Sequence, residues 1–274
     1  MPTLVTHNDF DGITCAVLFK AAYPLEGNVH ITNYDEVDEV IRKACDEPGV
    51  LFVTDISPQS KEVADLLKSR GEAVWLFDHH KTAGWLSKYP YAHINTEKCG
   101  ARLFYDFLRP FHPNLQEYEQ LVWHANDYDL WRHESPHSVV LNRLLHVLGH
   151  DEFLRRFVYY PDVNLTDRER YLMGIEEGRE QRYIEEAIKT AVVYNSITPS
   201  CAIVFAEQYI SQVGHKLLET YPVDVAVIVN FQKNTVSLRS RDKGVDVSEI
   251  AKALGGGGHP TAAGFMLPRN KFRN

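Results

Sequence analysis

The sequence predicts an α/β protein of two bodies: an N-terminal lobe with a parallel, Rossmann-like sheet and a smaller C-terminal α/β lobe. Three observations carry this. Short β-rich runs alternate with helical patterns through the first hundred residues, a long charged helical segment follows, and strand-like runs resume after Pro199. The bodies are expected at 1–160 and 199–274, with 161–198 as a helical linker.

In chain order, residues 3–6 read as a strand and 12–23 as a helix, with Ile13, Ala16, Val17 and Phe19 among its apolar positions. Residues 29–33 are a second strand, and 35–45 a helix. VLFVT at 50–54 is a third strand, 60–70 a helix, AVWLF at 73–77 a fourth strand and 92–95 a fifth. Strands separated by helices imply a parallel sheet covered on both faces. From 101 to 158 the pattern is mostly helical, and 166–193 is the long charged segment. Beyond it, strands are expected at 201–206, 223–231, 235–240 and 262–266, with helices at 208–220 and 247–254. No internal repeat is visible.

With 274 residues, 44% hydrophobic and 24% charged, the chain supports an ordinary folded core. Its net charge of −8 argues against coating long duplex DNA and leaves small or short phosphorylated ligands open. The charge is uneven: from Ala191 onward there are 9 basic and 6 acidic residues, leaving 20 and 31 before it. An acidic front can recruit metal cations and a mildly basic tail can meet phosphate, although solvated surface charge explains the same numbers. Cys15, Cys45, Cys99 and Cys201 form no C-x-x-C pair, so neither a disulfide framework nor a thiolate zinc site is indicated. Residues 1–7 lack a signal-peptide pattern, and no run approaches the ~20 apolar residues of a membrane span. A soluble cytoplasmic protein without a membrane partner is expected.

Chemistry concentrates at predicted strand ends. His7, Asp9 and Asp11 alternate in HNDFDG after the first strand, Asp55 follows the third, and Asp78-His79-His80 follows the fourth. An EF-hand loop is excluded, since its first ligand would be His7 and its closing Glu falls at Leu18. Asp11 capping the next helix is an ordinary alternative for that cluster alone. In a parallel sheet, residues just past the strand ends share one edge, where α/β proteins bind ligands. Seven such residues at three strand ends are a poor coincidence. A fourth candidate is Asn126-Asp127-Tyr128-Asp129, in which either Asp can complete the site. Carboxylates with a few imidazoles favour Mn²⁺ or Mg²⁺. Two such ions ~3.5–4 Å apart need a bridging carboxylate and activate water for attack on phosphorus.

Near the C-terminus, LGGGGHPTAAGF places Gly255 to Gly258 before His259. A flexible linker is one reading. A backbone cradle for an anion is the other, helped by His259 and by Arg239 at the end of a strand. It is not a P-loop, because G-K-[ST] is missing.

Together, HNDFDG, the isolated Asp55, DHH at 78–80 and GGGGHPTAAGF resemble, in order and over nearly the whole chain, the DHH phosphoesterase superfamily. The DHHA1-bearing subfamily is the specific match, with nanoRNases of the oligoribonuclease B type most similar in their opening motif and size. The resemblance implies one metal on His7, Asp9 and Asp55 and a second on Asp11, Asp55, His79 and a fourth-motif Asp, taken as Asp127 from its spacing to Trp131. It makes Asp78 an orienting residue and has His80 contact the scissile phosphate. In the second lobe it assigns Arg239, Ser240, Gly256, Gly257, Gly258 and His259 to the substrate's nucleotide or terminal phosphate. The expected enzyme is a two-metal phosphodiesterase, with Mn²⁺ or Mg²⁺, acting between the lobes to degrade short oligoribonucleotides to mononucleotides. Alternatives are a 3′-phosphoadenosine 5′-phosphate phosphatase, a cyclic or linear dinucleotide phosphodiesterase and a catalytically dead nucleotide sensor. A homodimer is compatible with all of them.

Overall fold

The computed structural model describes residues 1–24, 27–241 and 244–267. The chain divides into two compact units, 1–173 and 174–274.

The first unit contains β1 (Thr3–His7), α1 (Phe10–Ala22), β2 (Asn28–Thr32), α2 (Val37–Cys45), β3 (Leu51–Thr54), α3 (Lys61–Ser69), β4 (Val74–Asp78) and β5 (Ala92–Ile94). The helices α4 (Gly100–Leu108), α5 (Glu119–Asp129), α6 (Pro136–Leu148) and α7 (His150–Tyr159) follow, then α8 (Asp167–Lys189), within which the division falls. The strands pair in the order β2-β1-β3-β4-β5, all parallel.

Side-chain alternation along each strand makes two cores. Leu4, Phe52 and Phe77 join one core with residues of α1 and α4 to α7. Their neighbours Val5, Val53 and Leu76 join the other, with residues of α2 and α3. Both faces are thus covered, which explains why β3 reads as an uninterrupted apolar run. A fully buried side chain such as Phe104, next to Phe52 and Phe77, stabilises the fold by roughly 1.5–3 kcal/mol. The first helix starts earlier than its apolar pattern suggests. Asp9, not Asp11, is its N-cap and accepts from the Gly12 amide, leaving Asp11 in the first turn.

The second unit contains β6 (Val192–Tyr194), β7 (Cys201–Phe205), α9 (Ile210–Thr220), β8 (Val225–Asn230), β9 (Thr235–Ser240), α10 (Val247–Ala253), β10 (Gly257–His259) and β11 (Ala262–Met266). Its sheet runs β10-β11-β9-β8-β7-β6, with β7 and β8 parallel around α9 and the other pairs antiparallel. One face packs under α9 with Ile184, Ala187 and Ile188 from the end of α8, and the other packs under α10. Residues 161–198, read from sequence as a linker, therefore supply core contacts and a strand. The glycine run differs too: Gly257 and Gly258 lie in β10, which hairpins with β11. Among the described residues, no helix is long and apolar enough to cross a membrane.

Candidate metal centre at the sheet edge

Because β1, β3 and β4 are parallel neighbours, their C-terminal ends line up. His7 is the last residue of β1, Asp55 follows β3, and Asp78 ends β4 just before His79 and His80. Asp55 is fully buried and sits in the left-handed region at φ 57°, an uncommon conformation for a residue other than Gly. Its amide still donates to the Phe77 carbonyl (2.9 Å), so the turn occurs while the backbone remains tied to β4. Gly100, the first residue of α4, packs directly against it. A Cβ there would lie 2.7 Å from the Asp55 Cβ, so only glycine lets α4 begin at this place.

The start of α4 holds Asp11. Its carboxylate accepts from the amides of Gly100 (2.6 Å) and Ala101 (2.8 Å), and the helix N-terminus favours that negative charge. Around it the ligating atoms converge. His7 Nδ1 is 2.8 Å from Asp9 Oδ2 and 3.8 Å from Asp55 Oδ2. His79 Nε2 is 3.2 Å from Asp55 Oδ1, 3.1 Å from Asp129 Oδ2 and 3.8 Å from Asp11 Oδ2. Two sets result, His7/Asp9/Asp55 and Asp11/His79/Asp129, and a third, Asp55/His79/His80, shares Asp55 with the first and His79 with the second; within each, the ligand atoms lie within 4.8 Å of one another. The two Asp55 oxygens face different sets.

Electrostatics point the same way. Neither Asp55 oxygen, nor His79 Nε2, nor Asp129 Oδ2 has a hydrogen-bond partner, although all four are buried. Burying such groups unpaired is costly, and a divalent cation among them removes the cost. Burial, with the charges of Asp11 and Asp9, pushes the Asp55 carboxyl well above the carboxylate range. The same causes bring Asp129 up to about 8. Burial lowers His79, keeping a neutral imidazole available. Asp9 behaves oppositely: burial raises it, but its hydrogen bond and ion pair with His7 and the Gly12 amide outweigh that and hold it at about 2. The oxygen-rich donor set with two imidazoles suits a hard or borderline divalent ion such as Mn²⁺ or Mg²⁺.

Asp78 belongs to none of these ligand groups. Its Oδ1 accepts from the His79 amide (2.7 Å), the His80 amide (3.0 Å) and His80 Nδ1 (2.7 Å), and its Oδ2 accepts from Ser57 Oγ. It fixes the backbone of both histidines and the ring of His80. Burial lowers the His80 pKa, but Asp78 more than compensates and raises it. The other His80 nitrogen, Nε2, meets the Tyr34 hydroxyl at 3.1 Å.

The fourth acidic position differs from the sequence expectation. Asp127 is buried but is not in the cluster: its carboxylate accepts from the amides of Glu134 (2.7 Å) and Ser135 (3.3 Å) and from Ser138 Oγ. Asp129, at the end of α5, is the residue brought to His79.

In the second unit, Arg239 projects from β9 under α9. Its Nη2 donates to Ser211 Oγ (2.9 Å), and its Cγ lies 2.8 Å from where a Cβ on Gly214 would be. Ser240 is buried and donates to the Pro260 carbonyl (3.2 Å), tying β9 to the turn after β10. Gly256 approaches β11 closely, since a Cβ would lie 2.1 Å from the Gly264 carbonyl oxygen, whereas Gly257 faces open space. Gly258 has φ 140° against Ala262 and Ala263, and His259 is exposed in β10.

Sequence reasoning had Asp129 only as an alternative and missed Tyr34, Ser57 and Gly100. None of these three stands in a recognisable motif, and only the folded contacts reveal them.

Residues 198–274 match the DHHA1 domain model. Over 96% of its length the chain is 28% identical to oligoribonuclease NrnB of Bacillus subtilis, covering 72% of that protein. Among solved structures, the pGpG-specific phosphodiesterase PggH of Vibrio cholerae superposes with a TM-score of 0.58 at 16% identity, covering 98% of this chain and 94% of that one. RecJ of Thermus thermophilus in complex with Mn²⁺ gives 0.61 at 16% identity, covering 99% of this chain and 50% of that one. These structural likenesses establish the fold. Residues 198–274 are thus a DHHA1 domain, and the chain's similarity to NrnB extends over nearly its whole length.

Proposed function

We propose that this chain is a metal-dependent phosphodiesterase that hydrolyses short oligoribonucleotides to mononucleotides. The observation that carries the reading is Asp55: a fully buried carboxylate with both oxygens unpartnered, one turned toward His7 and Asp9 and the other toward His79. One ion on His7, Asp9 and Asp55 and another on Asp11, Asp55, His79 and Asp129 would supply Lewis acidity and a water of lowered pKa. The name of the Bacillus relative supports a short RNA substrate, and the manganese in RecJ supports Mn²⁺ as the metal to try first.

The chain's own residues have distinct roles in this reading. Asp11 is fixed by the α4 amides, so its position does not depend on the metal. Asp78 orients His80 through Nδ1, which leaves Nε2 to exchange its contact with Tyr34 for a phosphate oxygen. A protonated His80 then donates to that oxygen as negative charge builds during attack. Arg239 and His259, on the more basic part of the chain, are assigned to the nucleotide or its terminal phosphate.

The test is a time course with Mn²⁺ on labelled RNAs from the dinucleotide upward, beside 3′-phosphoadenosine 5′-phosphate and a cyclic dinucleotide. Rapid loss of the shortest RNAs, abolished by Asp55→Asn, is expected. Turnover of the monoester alone would leave the metal centre standing and overturn the RNA assignment.

A further inference from the structure

Just beyond Asp129 the chain makes a turn that is strained at Trp131. Trp131 has φ 55° and His133 φ 52°, both left-handed; histidine adopts this region comparatively readily, but a bulky tryptophan there is a genuine outlier. Such conformations persist only when their surroundings enforce them. Here the enforcing residue is Asp127. Its carbonyl accepts from the Arg132 amide (3.0 Å) and lies 3.5 Å from that of His133, and its carboxylate takes Glu134, Ser135 and Ser138.

The turn presents an indole. Trp131 is 75% exposed, although an apolar side chain of that size gains most from burial. The His133 ring meets it edge-on at 4.3 Å and Tyr128 flanks it at 6.4 Å. Tyr128 in turn packs edge-on against Phe10, the residue after Asp9. An aromatic row thus runs from the metal centre to a rigidly held surface tryptophan. Two residues of chain span at most about 7 Å, so Trp131 stays close to Asp129.

We infer that Trp131 is a stacking platform for a nucleobase of the substrate whose phosphodiester lies at the Asp55 cluster. This rests on the phosphodiesterase reading and adds a recognition element to it. Stacking accepts every base, since each has a π-face, so the platform favours single-stranded substrates without selecting sequence.

The test compares wild type, Trp131→Ala and Trp131→Phe on the RNA dinucleotide pApA and on its abasic counterpart, with Mn²⁺. Trp131→Ala is expected to lower kcat/KM for pApA roughly 10-fold or more, chiefly through KM, and to shrink the preference over the abasic compound by the same factor. Trp131→Phe should recover most of it. An unchanged preference in a folded Trp131→Ala protein would overturn the inference. Binding gives a readout that does not need turnover. Adenosine 5′-monophosphate should quench the tryptophan emission of the wild type, which has 4 tryptophans, and lose most of that quenching in Trp131→Phe. Equal or absent quenching in the two proteins contradicts the stacking site whether or not RNA is cleaved. Lost quenching in a protein that cleaves nothing keeps the site and removes the phosphodiesterase reading.

Discussion

At the edge of the parallel sheet, both oxygens of Asp55 and Oδ2 of Asp129 are buried and accept no hydrogen bond, while in the C-terminal unit the described buried polar side chains are partnered within the fold. There Asn230 donates to Glu207, Ser240 to Pro260 and Ser248 to Asp246. Both units are α/β and both have a well-covered sheet, so the contrast is one of purpose rather than packing. Partnered polar groups stabilise the chain by themselves. A cluster of facing carboxylates opposes folding until a cation enters it. In the second unit the glycines bring β10 close to β11.

The largest effect should come from Asp55→Asn. It removes a charge from both ligand sets, and Asn tolerates the left-handed backbone. Hydrolysis is expected to fall at least ~1,000-fold, in line with loss of a principal electrostatic contributor. The metal-free protein should at the same time melt higher than wild type, because an unpaired buried carboxylate is gone. Lost activity together with a lower melting temperature would turn Asp55 into a structural residue.

Asp127 and Asp129 sharpen the contrast on one helix. Asp129→Ala should abolish most activity and the rise in melting temperature on adding Mn²⁺. Asp127→Ala should cost about 2–4 kcal/mol of stability, since it strands the Glu134 and Ser135 amides and the Ser138 hydroxyl, yet keep the response to Mn²⁺. Thermal melts with and without the ion distinguish them, and the opposite pattern would restore Asp127 as the ligand.

The pH dependence of the metal-free protein follows from the raised carboxyls. Asp55 and Asp129 are held protonated in the fold at pH values where the unfolded chain has released those protons. The unfolded state then binds fewer protons, so stability is full below the ordinary carboxylate range and declines as pH rises toward about 8. Metal-free melting temperatures should therefore fall from acid to neutral pH, and Asp129→Asn should flatten the decline. Because binding displaces protons, stabilisation by Mn²⁺ should grow over the same interval.

The smallest effects separate the glycines. Gly256→Ala forces a contact with the Gly264 carbonyl and should lower the melting temperature of the C-terminal unit, whereas Gly257→Ala meets nothing and should leave it within a degree or two. Differential scanning calorimetry checks both.

The strand ends of the first unit were legible because buried parallel strands leave a sharp boundary between apolar runs and the first acidic residue. His7, Asp55 and Asp78 stand at such boundaries. The fourth ligand position was not. Asp127 and Asp129 are separated by roughly 200° around α5, so they face different directions, and which one reaches His79 depends on how the helix packs. Tyr34 and Gly100 escape the sequence for a related reason, since their partners, His80 and Asp55, lie far from them along the chain. The glycine run was ambiguous because strand pairing at close range and an anion cradle call for the same residue.

Anomalous diffraction at the manganese edge from crystals soaked in MnCl₂ tests the centre most directly. Two peaks sharing Asp55 are expected, one beside His7 and Asp9 and the other beside Asp11, His79 and Asp129. No peak, a single peak that leaves one Asp55 oxygen bare, or an ion on Asp127 would contradict the two-ion centre described above.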